Sequence, residues 1–468
     1  MSSYAVLRVG PVEVLRFTGT PGDELLAVFR DDMQTVMRLT GREFLVRYRI
    51  THSSRIRDDQ ELDVAEFCAS WQAVAARLDL LGVAEADVRE CLKARLSRPR
   101  ASGWEERAAE LRGSGRLMLP RKRRRLDEWD RRDLAEVRRG DELRGSLGAD
   151  GWLRMLGSSA EETAFVFGIG TGGRSWLMDE LDGWDPRCAL RAVMLAFPGA
   201  DVVLAVAGTA GGTWQAPPGA LRPHAAVGTG AGGGGSAPVV VLTEGRTDAE
   251  FLEAGLKVLR PYLIDMIRFL DYERRPEGGA GPLAGMVRAF AAAGIANRAV
   301  AVFDNDTAAA AARQSLKKVK LPSQIKVIQY PELGLAKAYP VLDSQGPEPA
   351  GRMPEHADVN GRAASIELYL GRDVLTRPDG TLYPVRWTSG DRTAGPRQGK
   401  FDDRDKAAIH KAFRAKAKAA LGDPAQAGQQ DWSGLLLIID AIFAAAVHIT
   451  RAVHDMNAAT TTASSADA

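Results

Sequence analysis

Two apolar segments about sixty residues apart constrain this chain more than any other feature. Val239-Val240-Val241-Leu242-Thr243 runs without polar alternation, as a strand covered on both faces does. It breaks at Glu244-Gly245-Arg246-Thr247-Asp248 into the helical pattern Ala249-Glu250-Phe251-Leu252. Gly245 suits the tight turn, and Thr247 or Asp248 can cap the helix. Ala299-Val300-Ala301-Val302-Phe303 repeats the pattern and ends in Asp304-Asn305-Asp306. Each acid follows the C-terminal end of a strand, where open α/β sheets place their ligands.

Between and after these segments the periodicity alternates regularly. It predicts strands at Val239–Thr243, Met266–Leu270, Ala299–Phe303 and Ile325–Tyr330. Helices are predicted at Asp248–Leu259, near Pro282–Ala293, and at Thr307–Val319. Such a βαβαβαβ run means a parallel four-stranded sheet with right-handed crossovers, a Rossmann-like α/β unit.

The remaining sequence divides around this unit. Residues 1–105 read as an α+β domain: a hairpin over 4–17 turning at Gly10-Pro11, a helix from Pro21 through Phe29, a strand over Glu43–Ile50, and a helix from Val64 to Leu80. Residues 106–149 form a charged basic helical or linker segment containing Arg121-Lys122-Arg123-Arg124-Arg125, either a solvated run or a nucleic-acid contact. Residues 150–224 read as a second α/β part of the N-terminal region. Its Gly168-Ile169-Gly170-Thr171-Gly172-Gly173 matches a dinucleotide fingerprint literally, but the acid expected about twenty residues on is missing, so a plain glycine loop is the better reading. A glycine-rich linker spans 225–237, the parallel unit 238–375, and a mainly helical C-terminal extension 376–468.

Composition excludes several classes. A net charge of +2 rules out a uniformly basic nucleic-acid coat, though not a local basic groove. Cys68, Cys91 and Cys188 are too few and too scattered for a disulfide framework or a zinc ribbon, which points to a reducing cytoplasm. The first residues have no signal-peptide pattern, and the apolar run Leu435–Ile449 is interrupted by Asp440 and His448, short of the roughly 20 residues a membrane span needs. No membrane association is expected.

Glu244, Asp248, Asp304 and Asp306 gather negative charge that only a cation would neutralise, and hard oxygen ligands suit Mg²⁺ or Mn²⁺, as one ion or two. As plain chemistry, acids at strand ends also serve as helix caps.

Glu244-Gly245-Arg246-Thr247-Asp248 together with Asp304-Asn305-Asp306 resembles the Toprim domain of topoisomerases, bacterial primases, small maturation ribonucleases and OLD-type nucleases. The resemblance implies that Glu244, Asp304 and Asp306 hold the metal and that Glu244 relays protons. The Glu-Gly-x-Thr-Asp form is most similar to the OLD-type branch, which implies a ligand role for Asp248. It also implies a downstream acid and a lysine, matched by Glu367 in Ser-Ile-Glu-Leu-Tyr-Leu and Lys400 in Gln-Gly-Lys-Phe. An ordinary surface acid and a solvent lysine are the plain readings of those two. The chain as a whole resembles bacterial HEPN/Toprim-associated proteins through its opening residues, Asp185-Pro186-Arg187 and Asp201-Val202-Val203-Leu204. An Arg47…His52 pair has HEPN-ribonuclease spacing but falls in the predicted strand, where chance explains it better.

No G-x-x-x-x-G-K-[ST] occurs, which argues against ATP-driven gating. The expectation is a cytoplasmic, Mg²⁺-dependent Toprim endonuclease acting on DNA in defence against phage or plasmids, with Lys400 stabilising charge on the phosphate. The alternatives are an RNA-processing nuclease and a non-catalytic, metal-assisted nucleic-acid-binding protein. The N-terminal region would serve a partner protein or a homo-oligomer.

Overall fold

The structure is a computed structural model. It describes residues 4–50, 56–99, 138, 141–158, 176–209, 237–270, 278–343, 355–388 and 397–466, the last stretch by backbone alone beyond 453. The chain divides into two units: Met1–Asp79 with Val83–Leu221, and Leu80–Gly82 with Arg222–Ala468. The segment Arg121–Arg125, His52, the loop Gly168–Gly173 and most of the glycine-rich linker lie outside the described residues.

The first unit is built on an antiparallel five-stranded sheet. Strands β1 (Tyr4–Val9) and β2 (Val12–Thr18) form the expected hairpin, with Gly10 at φ +50° in the turn. With β3 (Gln34–Thr40), β4 (Glu61–Ala69) and β5 (Val202–Thr209) the order is β2-β1-β5-β4-β3. The 150–224 region therefore adds its described strand antiparallel to β1 and β4 rather than building a separate parallel sheet.

Three local readings are corrected here. The predicted strand Glu43–Ile50 is instead helix α1 (Gly41–Arg47). Thr40 accepts from the Glu43 N–H at 3.2 Å while the Glu43 carboxylate accepts from the Thr40 N–H at 2.7 Å. This reciprocal cap outweighs the strand preference of Phe44 and Val46. The helix expected from Val64 starts only at Trp71, because Val64–Ala69 completes β4 between two partners. The helix expected from Pro21 through Phe29 covers only Asp23–Leu26.

The second unit contains the parallel sheet. Its strands are β6 (Val239–Leu242), β7 (Ile267–Phe269), β8 (Ala299–Phe303) and β9 (Ile325–Gln329), all parallel, in the order β9-β8-β6-β7. Helices α2 (Arg246–Leu259), α3 (Ala280–Ala293) and α4 (Thr307–Leu316) connect them in turn. The chain steps one way from β6 to β7, then crosses back over β6 to β8 and on to β9. Right-handed crossovers therefore put α2 on one face and both α3 and α4 on the other. Ala299, Ala301 and Phe303 pack with Leu283, Ala284 and Val287 of α3 and Ala309 and Leu316 of α4.

That topology leaves the α2 face bare over β8 and β9, where Val300 and Val302 are buried. The C-terminal helix (Ser433–Ala466) fills it, packing on β8, β9 and α2. Gly255 of α2 permits the approach: a Cβ there would lie 3.3 Å from side-chain carbons of Leu435 and Ile439. Leu435, Ile438, Ile439, Ile442 and Ile449 are buried, each contributing about 2 kcal/mol of apolar burial. Over Ser433–Val453 this helix is long and apolar enough to cross a membrane, and half of its most apolar window is buried in the unit.

Beyond β9 the chain is less helical than its sequence suggests. Short strands Tyr339–Leu342, Glu355–Ala357, Val385–Trp387 and Gly399–Lys400 form one small mixed sheet, which runs across position 375 where the sequence placed a boundary. The pattern Ala363–Leu370 is a two-residue bridge, Ala363–Ala364 paired with Asn305–Asp306, followed by a single 3₁₀ turn. Helix α5 (Asp403–Gly422) follows and packs on α2.

Candidate functional site

Strands β6 and β8 are neighbours whose outgoing helices diverge to opposite faces. This is the switch point of the sheet, where a crevice opens beyond the strand ends. Glu244 follows β6 and Asp304 follows β8, and the Asp304 N–H donates to Glu244 Oε1 at 3.0 Å. The Glu244 carbonyl in turn accepts from the Gly279 N–H at 2.7 Å, and a Cβ on Gly278 would lie 3.3 Å from that carbonyl.

Helix α2 begins at Arg246, two residues earlier than expected, with Gly245 as its N-cap. Neither Thr247 nor Asp248 caps it. The Thr243 hydroxyl donates to the Gly245 carbonyl at 2.8 Å. Asp248, buried in the first turn, accepts from the Tyr330 hydroxyl at 3.0 Å. Asp306 caps α4, accepting from the Ala309 N–H at 2.7 Å. Between the two aspartates, Asn305 is buried and fixes the loop. Its Oδ1 accepts from Gln329 Nε2 at 2.9 Å and from the Gly361 N–H at 3.0 Å.

Glu367 joins the cluster from the 3₁₀ turn and is 2% exposed. Its carboxylate meets the Ser365 hydroxyl, His410 Nε2 at 2.8 Å and Lys406 Nζ at 3.2 Å. Lys406 and His410 stand one turn apart on α5, so one helix face delivers both. His410 also sits edge-on to Phe251 of α2, ring centroids 5.0 Å apart. Lys400 is exposed, and among the described residues no ion pair or hydrogen bond joins its ammonium to the acids. The ammonium beside the cluster is that of Lys406 on α5, a residue to which the sequence motifs give no role.

The electrostatics follow from this crowding. Burial pushes the Asp304 carboxyl well above the ordinary aspartate range, and the charges of Asp248, Glu244, Asp306 and Glu367 push it further. Burial likewise carries Glu244 up to about 7, against the pull of the Asp304 N–H and with the charges of Asp306 and Asp248 adding to the rise. Asp248 rises to about 6 through burial and the Glu367 charge, opposed by the Tyr330 hydrogen bond. Glu367 goes the other way. Burial would raise it, but His410, the Lys406 charge and the Ser365 hydroxyl together hold it at about 2.

The three raised carboxyls mark a cluster in which burial and mutual repulsion oppose ionisation, with Lys406 as the ammonium beside it. Asp304 Oδ1 is shut off from solvent and, among the described residues, has no hydrogen-bond partner. An unpaired buried carboxylate oxygen is costly unless a cation takes it. The donor set, all carboxylate oxygen, suits a hard divalent ion. Among the described residues, no three His, Cys, Asp or Glu side chains are already drawn together as a closed ligand set. Asp248 is held by Tyr330 and Asp306 by its cap, so ligation requires these side chains to turn inward. Comparison of the chain with protein-family models, with curated proteins and with solved structures finds no match.

Proposed function

We propose that the chain is a divalent-metal-dependent phosphodiesterase of the Toprim kind, most similar to the OLD-type branch, and that it cleaves DNA. The observation that carries this reading is the convergence of Glu244, Asp248, Asp304 and Asp306 at the switch point of a parallel sheet, with Asp304 Oδ1 buried and without a partner among the described residues. Asp304, Asp306, Glu244 and Asp248 would hold Mg²⁺ or Mn²⁺, with Glu367 closing the far side of the cluster. Bound there, the ion would supply Lewis-acid stabilisation of a phosphodiester oxygen and a more acidic water.

The chain's own residues do the rest. Glu244 accepts the proton of the attacking water. The Asp304 N–H fixes the orientation of Glu244. Lys406, held by Glu367, places a positive charge beside the cluster, where it stabilises charge developing on the phosphate. In this reading Lys406 takes the role that the resemblance gave to Lys400. Defence against phage or plasmids is the setting that the resemblance implies.

The test is cleavage of supercoiled plasmid by the wild type and by Asp304→Ala, with Mg²⁺, Mn²⁺ or EDTA. Nicking or linearisation that needs the cation and disappears in the variant is expected. Equal cleavage by both proteins, or none by folded wild type with any metal on DNA or RNA, would sink the reading.

A further inference from the structure

From Thr307 to Tyr330 the sequence contains no acid and five cations: Arg313, Lys317, Lys318, Lys320 and Lys326. In a chain of net charge +2 this is a strong local excess. The segment folds back on itself as α4 and the edge strand β9, with Arg313 on the helix, Lys326 on the strand, and Lys317, Lys318 and Lys320 in the turn that joins them. Lys317, Lys318 and Lys320 are exposed, and among the described residues none has an acidic partner. Between α4 and β9 lies an open groove of about 380 Å³ lined by Ala310, Arg313, Gln314, Leu316, Lys317, Leu321 and Val327.

The groove is tied to the acid cluster. Arg313 donates to the Gln329 side-chain carbonyl, and Gln329 Nε2 donates to Asn305 Oδ1, the residue between Asp304 and Asp306. Gln329 pairs in register with Phe303, one residue before Asp304. From its cap at Asp306, the path along α4 to Lys318 covers roughly 18 Å, or about five base-pair steps of duplex.

We propose that this groove and the lysines of the turn beside it form a docking track for the phosphate backbone of a DNA duplex whose scissile phosphate lies at the acid cluster. The inference rests on the nuclease reading for the direction of the track, but the binding itself does not require cleavage. Lysines act here as point charges on phosphates, so the contact is independent of sequence and strongly salt-dependent. Arg313, pinned by Gln329, marks the end of the track nearest the site.

The experiment measures anisotropy of a labelled duplex of about 30 base pairs in EDTA across a salt series, a length sufficient for several phosphate contacts. The full chain is compared with K317A/K318A/K320A and with a control, R404A/K411A/K418A. The control removes the same charge from exposed positions on α5, which likewise lack acidic partners. If three phosphate contacts are lost, the slope of log K against log salt becomes shallower by about 2.7. Between roughly 50 and 200 mM salt the wild type then loses about 40-fold more affinity than the track variant. The control should keep the wild-type slope.

An unchanged slope in the track variant, an equal change in the control, or no duplex binding by the wild type would each overturn the proposal. Binding that depends on the track without cleavage by the wild type would remove the nuclease reading and leave this one standing. Cleavage with an unchanged slope would do the reverse.

Discussion

Replacing Glu244 with Gln should stabilise the protein when no divalent cation is present. The substitution keeps the shape and an acceptor for the Asp304 N–H, which lies 3.0 Å from Oε1. It removes a charge that burial disfavours and that Asp306 and Asp248 repel. The carboxyl stands at about 7 against an ordinary 4.5, a rise of about 2.5 pH units, which corresponds to roughly 3.4 kcal/mol between the two protonation states. Glu244 is only partly buried, so solvent screening brings the expected gain to about 1–2 kcal/mol. The sign follows from linkage. A carboxyl whose folded value is raised contributes stability below its unfolded value and loses it as pH rises through the folded one. Wild type therefore loses stability between about pH 4.5 and 7, whereas the amide does not titrate.

In EDTA near pH 8, Glu244→Gln should melt about 2–8 °C above wild type. Near pH 4 the two should converge. Thermal melts followed by circular dichroism measure this, and repeating them with Mn²⁺ should raise wild type more than the variant. A variant that melts below wild type near pH 8, or an offset that is the same at both pH values, would refute the account of Glu244 as a strained carboxylate.

Other perturbations probe the surroundings of the site. Gly434→Ala places a Cβ 2.5 Å from the Tyr369 carbonyl oxygen, in the turn that carries Glu367; thermal melts should show a loss of about 1–3 kcal/mol. Lys406→Met removes the ammonium that pairs with buried Glu367, so stability at neutral pH should fall by about 1–3 kcal/mol in denaturant titrations, while Lys400→Ala changes it little. Glu367, held at about 2, contributes stability above its unfolded value that is lost as pH falls through about 2. An acid-unfolding curve of Lys406→Met should therefore begin at higher pH than that of wild type. Thr450→Val removes the hydroxyl that accepts from buried Arg298 at 2.5 Å, which should cost about 1–3 kcal/mol in the same titrations.

The parallel sheet was legible in the sequence because its strands are continuous apolar runs punctuated at the right intervals, and no observed end moves by more than one residue. The positions of Glu244, Asp304 and Asp306 followed from the same pattern. Helix α1 departs from its sequence expectation although Thr40 and Glu43 stand at capping-box spacing, since the β-branched and aromatic residues after them favour a strand. The roles of Tyr330, Asn305 and His410 are not legible for a different reason. Each acts through a partner 43 to 82 positions away, and spacing along the chain carries no information about contacts made by folding. Lys406 and Lys400 are equally basic in sequence, and only the packing of α5 against α2 decides which ammonium reaches the acids.

The C-terminal helix over β8 and β9 bears on how the protein is made. Chains emerge from the ribosome N-terminus first, at roughly 5–20 residues per second. Strand β8 and its two aspartates are therefore synthesised well before Leu435–Ile449, the residues that bury Val300 and Val302. Lys406 and His410, which hold Glu367 in place, also arrive late. During synthesis the acid cluster exists as sequence but not yet as a site, with one face of its sheet open to water. The helix Ser433–Ala466 closes that face, so the phosphodiesterase proposed here would mature only after Leu435–Ile449 have been made.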